Sequence, residues 1–147
     1  MIAPGLRIRK LNESDYPALL ALWRDAGLVH KPAGRDSAEA FANQLAEQGE
    51  FMLAAEMDAQ LAGVVIGSRD GRKGWANRVA VAPAFRRRGI AEALLHALDQ
   101  VFEQHGIKVR SALIFHTNAA SRRLFEKCGY TSDEHVAYYS KRTSQDD

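Results

Sequence analysis

From Val79 to Leu98 the chain reads VAVAPAFRRRGIAEALLHAL, and the spacing of its apolar residues changes period inside that stretch. The residues up to Val81 complete a short run of strand character, predicted over 75–81. From Ile90 onward, Ile90, Leu94, Leu98 and Val101 recur at helical spacing until Gly106 closes the pattern. The link between the two carries Pro83, three consecutive arginines and Gly89. A strand that passes through so short a link into an amphipathic helix commits the chain to layers of helix packed on sheet.

The rest of the chain extends that plan. Leu6 and Ile8 alternate with Arg7 and Arg9, which predicts a half-buried first strand over 6–10. Ser14 reads as a helix cap, Pro17 fits the first turn, and Tyr16, Leu19, Leu20 and Trp23 follow at helical spacing until Gly27. Residues 27–36 (GLVHKPAGRD) read as a loop, followed by a helix over 37–48. Strands over 51–57 and 61–68 form a hairpin across Asp58, Ala59 and Gln60. After the long helix, 109–116 (VRSALIFH) is an apolar run of strand length. Asn118 caps a helix that runs to Lys127 and stops at Gly129, and a last strand is predicted within 135–142. The order is β-α-α-β-β-β-α-β-α-β, a mixed α/β single domain over residues 1–147 with a mainly antiparallel sheet and helices on both faces.

Composition excludes several classes of function. The 147 residues suffice for a continuous core without staples. Cys128 is the single cysteine, so neither an internal disulfide nor a multi-thiolate metal site can form, and no metal is expected. The opening residues MIAPGLRIRK lack an apolar signal core and no window reaches the length of a membrane span, so the chain reads as soluble and cytoplasmic. A net charge of +2 is too even for a genome-binding surface, and nucleic acid is not an expected partner. The sequence leaves the oligomeric state open, a homodimer included.

The link itself has a chemical reading. The first turn of a helix has backbone N–H groups without intrahelical partners and the positive end of the helix dipole. Gly89 lets a ligand approach the backbone, small Ala91 keeps the next turn clear, and Arg86, Arg87 and Arg88 add charged donors, a set suited to a pyrophosphate. A nucleotide P-loop fits poorly, because no Lys-Ser or Lys-Thr follows Gly89. The alternative is a solvated turn.

Arg86-Arg87-Arg88-Gly89-Ile90-Ala91 resembles the Q/R-x-x-G-x-G/A signature of the GCN5-related N-acetyltransferase (GNAT) family, and residues 118–130 (NAASRRLFEKCGY) resemble its second conserved segment. The resemblance covers essentially the whole chain in element order. It implies acetyl-CoA as co-substrate, with the backbone of Val79 and Val81 along the pantetheine arm, the loop from Arg86 through Gly89 and Ile90 to Ala91 on the pyrophosphate, and Asn118 near the pantetheine. It also implies direct transfer of the acetyl group to an amine of a small molecule, peptide or protein, with strands 75–81 and 109–116 splayed to admit the thioester.

The usual proton-transfer residues of the family are missing. Where many members place a tyrosine this chain has Phe125, which has no proton to donate, and the strand that often carries a glutamate reads Leu113, Ile114, Phe115. Tyr138 on the last predicted strand is the preferred acid over Tyr139, which alternation points to the other face. His116, an imidazole at the end of the apolar run, is a candidate base, and Glu56 is a further one. Arg122 and Arg123 are candidates for the 3′-phosphate or a solvated helix face, and Cys128 reads as structural. Tyr16, Trp23 and Trp75 read as core. The acceptor pocket is expected from 27–36 and 131–138, with Asp36, Asp133 and Glu134 suited to a cationic acceptor. A non-catalytic acyl-CoA-binding sensor or interaction module is the alternative.

Overall fold

Alternation at the start of the chain becomes β1 (Arg7–Lys10), which pairs antiparallel with β2 (Met52–Met57). The computed structural model describes residues 4–145 and residue 147. β2 turns into β3 (Gln60–Arg69) through Asp58 and Ala59, both in the left-handed region with φ of 53° and 58°. Two residues of positive φ give a turn whose twist matches that of a hairpin, so Gln60, expected in the turn, already belongs to the strand. β4 (Gly74–Val81) pairs antiparallel with β3, and β5 (Arg110–Ser111) pairs parallel with β4, in the spatial order β1-β2-β3-β4-β5.

Among the described residues four helices cover the two faces. α1 (Tyr16–Asp25) and α2 (Ala38–Gln48) bury Leu19, Leu22, Trp23 and Phe41 against Met52, Ala54, Val64 and Ile66. α3 (Ile90–Gln104) and α4 (Ala119–Lys127) lie on the opposite face, where Ile90, Leu94, Leu98, Phe102 and Phe125 meet Leu53, Ala55 and Val65. Consecutive residues of β2 thus serve opposite layers, as the period of two requires. Each fully buried apolar side chain of α3 contributes about 1.5–3 kcal/mol. Gly67 and Gly74 let α3 settle this close: a Cβ on Gly67 would stand 2.9 Å from Leu98 Cδ1 and one on Gly74 2.6 Å from the Phe102 ring.

Both antiparallel pairings of β3 contain a bulge. Ala62 is skipped opposite β2, and Asn77 of β4 is skipped between the pairs Ile66 with Arg78 and Gly67 with Ala76. The second bulge bears directly on the site described below.

Several expectations need correction. Ser14 does not cap α1: it sits inside a short 3-10 turn, Glu13–Asp15, and donates its hydroxyl to Asn12 Oδ1. Asp15 precedes α1 and closes the turn by accepting the Asn12 N–H at 2.9 Å. The strand expected over 109–116 pairs only at Arg110 and Ser111, because among the described residues β4 is the one strand beside it and the pairing ends at Trp75. The last strand expected within 135–142 does not form, and Val136, Tyr138 and Tyr139 stay exposed. An alternating pattern supplies a face but no partner edge. Trp75 is half-buried rather than core, its indole N–H donating to Asp70 Oδ2 at 3.0 Å. Tyr16 is likewise half-buried, whereas Trp23 is in the core.

Candidate functional site

The link after β4 is built around two left-handed residues, Arg87 with φ 64° and Gly89 with φ 75°. Such a backbone costs a side-chain-bearing residue about 1–2 kcal/mol and glycine little. Gly89 is the N-cap of α3, and its carbonyl accepts the Ala93 N–H at 3.0 Å. Among the described residues no acceptor meets the backbone N–H groups of Arg87, Arg88, Gly89, Ile90, Ala91 and Glu92. Consecutive unpaired N–H groups at the positive end of a 15-residue helix form a concentrated donor site for an anion.

A cavity of about 240 Å³ opens beside them, lined by Val81, Phe85, Arg86, Arg87, Gly89, Ile90, Ala91, Glu92, Leu124 and Lys127. Arg86 and Arg87 are exposed residues of its lining. Arg88 is not part of that lining: its Nη1 lies 3.3 Å from Met57 Sδ and its guanidinium 5.4 Å from the Phe85 ring centre. Phe85, Glu92, Leu124 and Lys127 escaped the sequence reading. Glu92 would repel an anion, but Lys127 Nζ lies 3.2 Å from its Oε2 and offsets the charge. The available signal was the position of Lys127 three residues after Leu124, on one helix face.

The gap between β4 and β5 provides a second element. The Ala82 N–H donates to the Ala62 carbonyl at 2.8 Å, so strand alternation turns the peptide groups of Ala80 toward β3 and those of Val79 and Val81 the other way. Gly74, at the start of the strand, directs its N–H toward Val109 of the β5 side at 2.9 Å. The bulge at Asn77 keeps Val79 and Val81 on that outer side, past the point where β5 has left. Both residues are half-buried and pack with the α3 layer.

The remaining predicted residues fall in different places. The Asn118 side chain accepts the Ser121 N–H at 3.1 Å and caps α4, as expected. His116 is exposed, and its carbonyl accepts from Arg122 Nη1 at 3.4 Å. Tyr138 is exposed in the irregular segment after α4 and has no hydrogen bond or ring contact among the described residues. Glu56 lies on β2, two strands from the gap, and is paired with Arg9 at 2.8 Å. Arg123 is exposed. Phe125 is buried, edge-on to Tyr130 with ring centres 5.0 Å apart. Burial pushes the Tyr130 hydroxyl and the Cys128 thiol up, so neither is primed to ionise.

On the α1 and α2 face, the loop before α2 is held to β4 by Asp36. Its carboxylate meets Arg78 at 3.2 Å and accepts the Lys31 N–H at 2.7 Å, while its carbonyl accepts the Tyr16 hydroxyl at 2.7 Å. Asp36 is thus engaged internally and is not the free carboxylate expected for a cationic acceptor; Asp133 and Glu134 are exposed. Among the described residues no group of three His, Cys, Asp or Glu is arranged to hold a metal ion, and no helix is long and apolar enough to cross a membrane.

Comparison with known proteins places this geometry among relatives. A family model described as Acetyltransferase (GNAT) family matches residues 7–130. An acetyltransferase of Yersinia enterocolitica is 28% identical over 131 residues, covering 89% of this chain and 92% of that protein. Among solved structures, the PaiA N-acetyltransferase of Thermoplasma acidophilum in complex with coenzyme A superposes with a TM-score of 0.78 at 19% identity, over 87% of this chain and 91% of that one. At that identity the likeness concerns the fold. Diaminobutyrate acetyltransferase EctA of Paenibacillus lautus, solved with L-2,4-diaminobutyric acid and coenzyme A, gives a TM-score of 0.69 at 27% identity, over 84% of this chain and 74% of that one.

Proposed function

The chain belongs to the acetyltransferase (GNAT) family, and from that premise we propose that it transfers an acetyl group from acetyl-CoA directly to a primary amine of a small molecule, peptide or protein. The observation that carries the reading is the run of unpaired backbone N–H groups from Arg87 to Glu92 at the mouth of a cavity that Val81 also lines. Those donors, with the guanidinium groups of Arg86 and Arg87, fit a pyrophosphate in charge and position. Arg88 supports the loop by packing on Phe85 instead. Bound acetyl-CoA supplies the activated acetyl group as a thioester.

The chain's own contribution is orientation and charge stabilisation. The outward peptide groups of Val79 and Val81 hold the pantetheine arm in the gap left by β5, with Asn118 at the far side. An N–H near Val81 stabilises negative charge developing on the carbonyl oxygen, an effect worth about 3 kcal/mol per donor in other enzymes, and holding both reactants together adds to it. Tyr138 is the proposed proton donor to the leaving thiolate and His116 the proposed base for the amine. Both side chains are exposed, so each is free to meet a substrate. The cytoplasm is the proposed compartment, in keeping with a single unpaired cysteine.

Calorimetric titration with acetyl-CoA tests the cofactor site. Replacing Arg86 and Arg87 together by alanine is expected to weaken binding by about tenfold or more, since each factor of ten corresponds to 1.4 kcal/mol. Unchanged affinity in a folded variant would overturn the assignment. The burial of Phe125, which leaves no hydroxyl at that position, favours one second reading, an acyl-CoA-binding sensor without turnover. Thiol release measured against a panel of amines separates the two.

A further inference from the structure

Two buried donors on the α1 and α2 face stand without partners. The Trp23 indole nitrogen and Arg78 Nη1 are both buried, and neither makes a hydrogen bond among the described residues. Trp23 itself is only 4% exposed. Buried donors are nearly always paired, because one left alone has given up its water without replacement. These two belong to one cluster. The Arg78 guanidinium stacks 4.7 Å from the centre of the Trp23 ring, which sets the donors within a few ångströms of each other, and His30 stands 6.1 Å from Trp23, ring to ring. The loop over 27–36 closes the cluster at both ends: the Leu28 N–H donates to the Trp23 carbonyl at 2.9 Å, and Asp36 accepts from Arg78 Nη2 at 3.2 Å.

Its place in the fold ties the cluster to the reaction. Side chains alternate along β4, so Val79 packs with the α3 layer while its neighbour Arg78 meets Trp23 on the opposite face. In the proposed function, on which this inference rests, acetyl-CoA enters from the α3 and α4 side. An amine that reaches the thioester from the other side of the gap passes Arg78 first.

Charge decides what the donors await. Arg78 shares the Asp36 carboxylate with Arg35, whose Nε lies 3.7 Å from Oδ2, and the Lys31 ammonium meets the neutral Gln145 carbonyl. Cations therefore outnumber carboxylates, and the missing group is an anionic oxygen acceptor. We infer that the acceptor is a small amine that carries a carboxylate, an amino acid, and that its carboxylate takes the Trp23 N–H and an N–H of Arg78 Nη1 once residues 28–35 move aside. Arg78 Nη2 keeps its bond to Asp36. A carboxamide of the same shape leaves the excess charge unmet, so the site separates acid from amide.

The test uses the full chain with Trp75→Phe, which leaves Trp23 as its single tryptophan. In the presence of coenzyme A the protein is titrated with glycine, 4-aminobutyrate and L-lysine, and with the carboxamide of each, while Trp23 emission is followed. At least one acid is expected to change the emission saturably with a Kd about tenfold or more below that of its amide, and Arg78→Met in the same background is expected to bring the two within about twofold. The inference is overturned if none of the three acids gives a saturable change, if acid and amide bind alike, or if a folded Arg78→Met protein keeps the preference. The first two outcomes decide alone where Arg78→Met does not fold. Thiol release from acetyl-CoA is scored separately. Acid-selective binding without release removes the transferase reading and leaves the carboxylate site standing, whereas release with amines that lack a carboxylate, and no response to the acids, removes the site and leaves the transferase.

Discussion

Arg78 Nη2 donates to Asp36 Oδ2 at 3.2 Å, and Nη1 stands 3.2 Å from Oδ1 in an ion-pair contact without hydrogen-bond geometry. The same guanidinium stacks 4.7 Å from the centre of the Trp23 ring. Arg78 precedes Val79 on β4, so this pair ties the loop before α2 to the strand proposed to hold the cofactor. Both side chains are largely buried, and removing one leaves the other charge stranded. Asp36→Ala is expected to lower stability by about 2–3 kcal/mol and to speed amide exchange over 27–36. Urea denaturation and hydrogen exchange check the two effects, and exchange rates equal to the parent would show that the pair does not hold the loop.

Gly89 has two duties that a substitution separates. Its φ of 75° makes Gly89→Ala cost about 1–2 kcal/mol of folding stability, and the strain falls on the backbone that carries the N–H groups proposed to hold the diphosphate. Affinity for acetyl-CoA is expected to fall by about tenfold or more at temperatures where the variant is fully folded. A calorimetric Kd matching that of the parent protein would remove the anion site.

Ala59 carries strain that glycine would relieve. With φ of 58° in the β2–β3 turn, Ala59→Gly should stabilise the protein by about 1 kcal/mol. The thermal midpoint is the readout, and a lower midpoint contradicts the account of this turn.

Acid sensitivity traces in part to Arg9, which bonds Asp15 at 2.8 and 2.9 Å and Glu56 at 2.8 Å. The Arg9 hydrogen bonds hold the Asp15 carboxyl below its ordinary value, against the opposing effect of burial. A carboxyl lowered in the folded state adds stability that is complete above its unfolded value, about pH 4, and is lost as pH falls through the folded value. Arg9→Met is therefore expected to be less stable at pH 7 by about 1–3 kcal/mol, with a shallower loss below pH 4. Parallel stability curves for the two proteins would exclude this linkage.

Tyr138→Phe addresses the proton donor. If the hydroxyl protonates the leaving thiolate, kcat should drop by about a hundredfold while the Kd for acetyl-CoA holds. A kcat within twofold of the parent assigns that proton elsewhere.

Local signals in the sequence were sufficient for the hairpin, the α3 stripe and the Asn118 cap, because each is decided by residues a few positions apart. The link around Gly89 was legible for the same reason: strand, glycine and helix start are contiguous. What failed depended on distant parts of the chain. Residues 109–116 and 135–142 both carry strand patterns, but pairing is settled by which edge is in reach, and only Arg110 and Ser111 find one. Position 125 was judged by the hydroxyl it lacks, whereas the fold spends it on a buried contact with Tyr130. The spacing of Lys127 from Leu124 puts both on one face of α4, but that this face meets the cavity was decided by the packing of α4 and not by the spacing.

The surplus residue at Asn77 has an effect out of proportion to its size. Without it, the phase of β4 downstream would be reversed, and the strand would offer the peptides of Arg78 and Ala80 to the gap while Val79 and Val81 bonded β3. Side chains would invert too, sending the Arg78 charge into the apolar layer beneath α3. One unpaired position thus lets a single strand be an ordinary sheet member at its start and a row of free amides at its end.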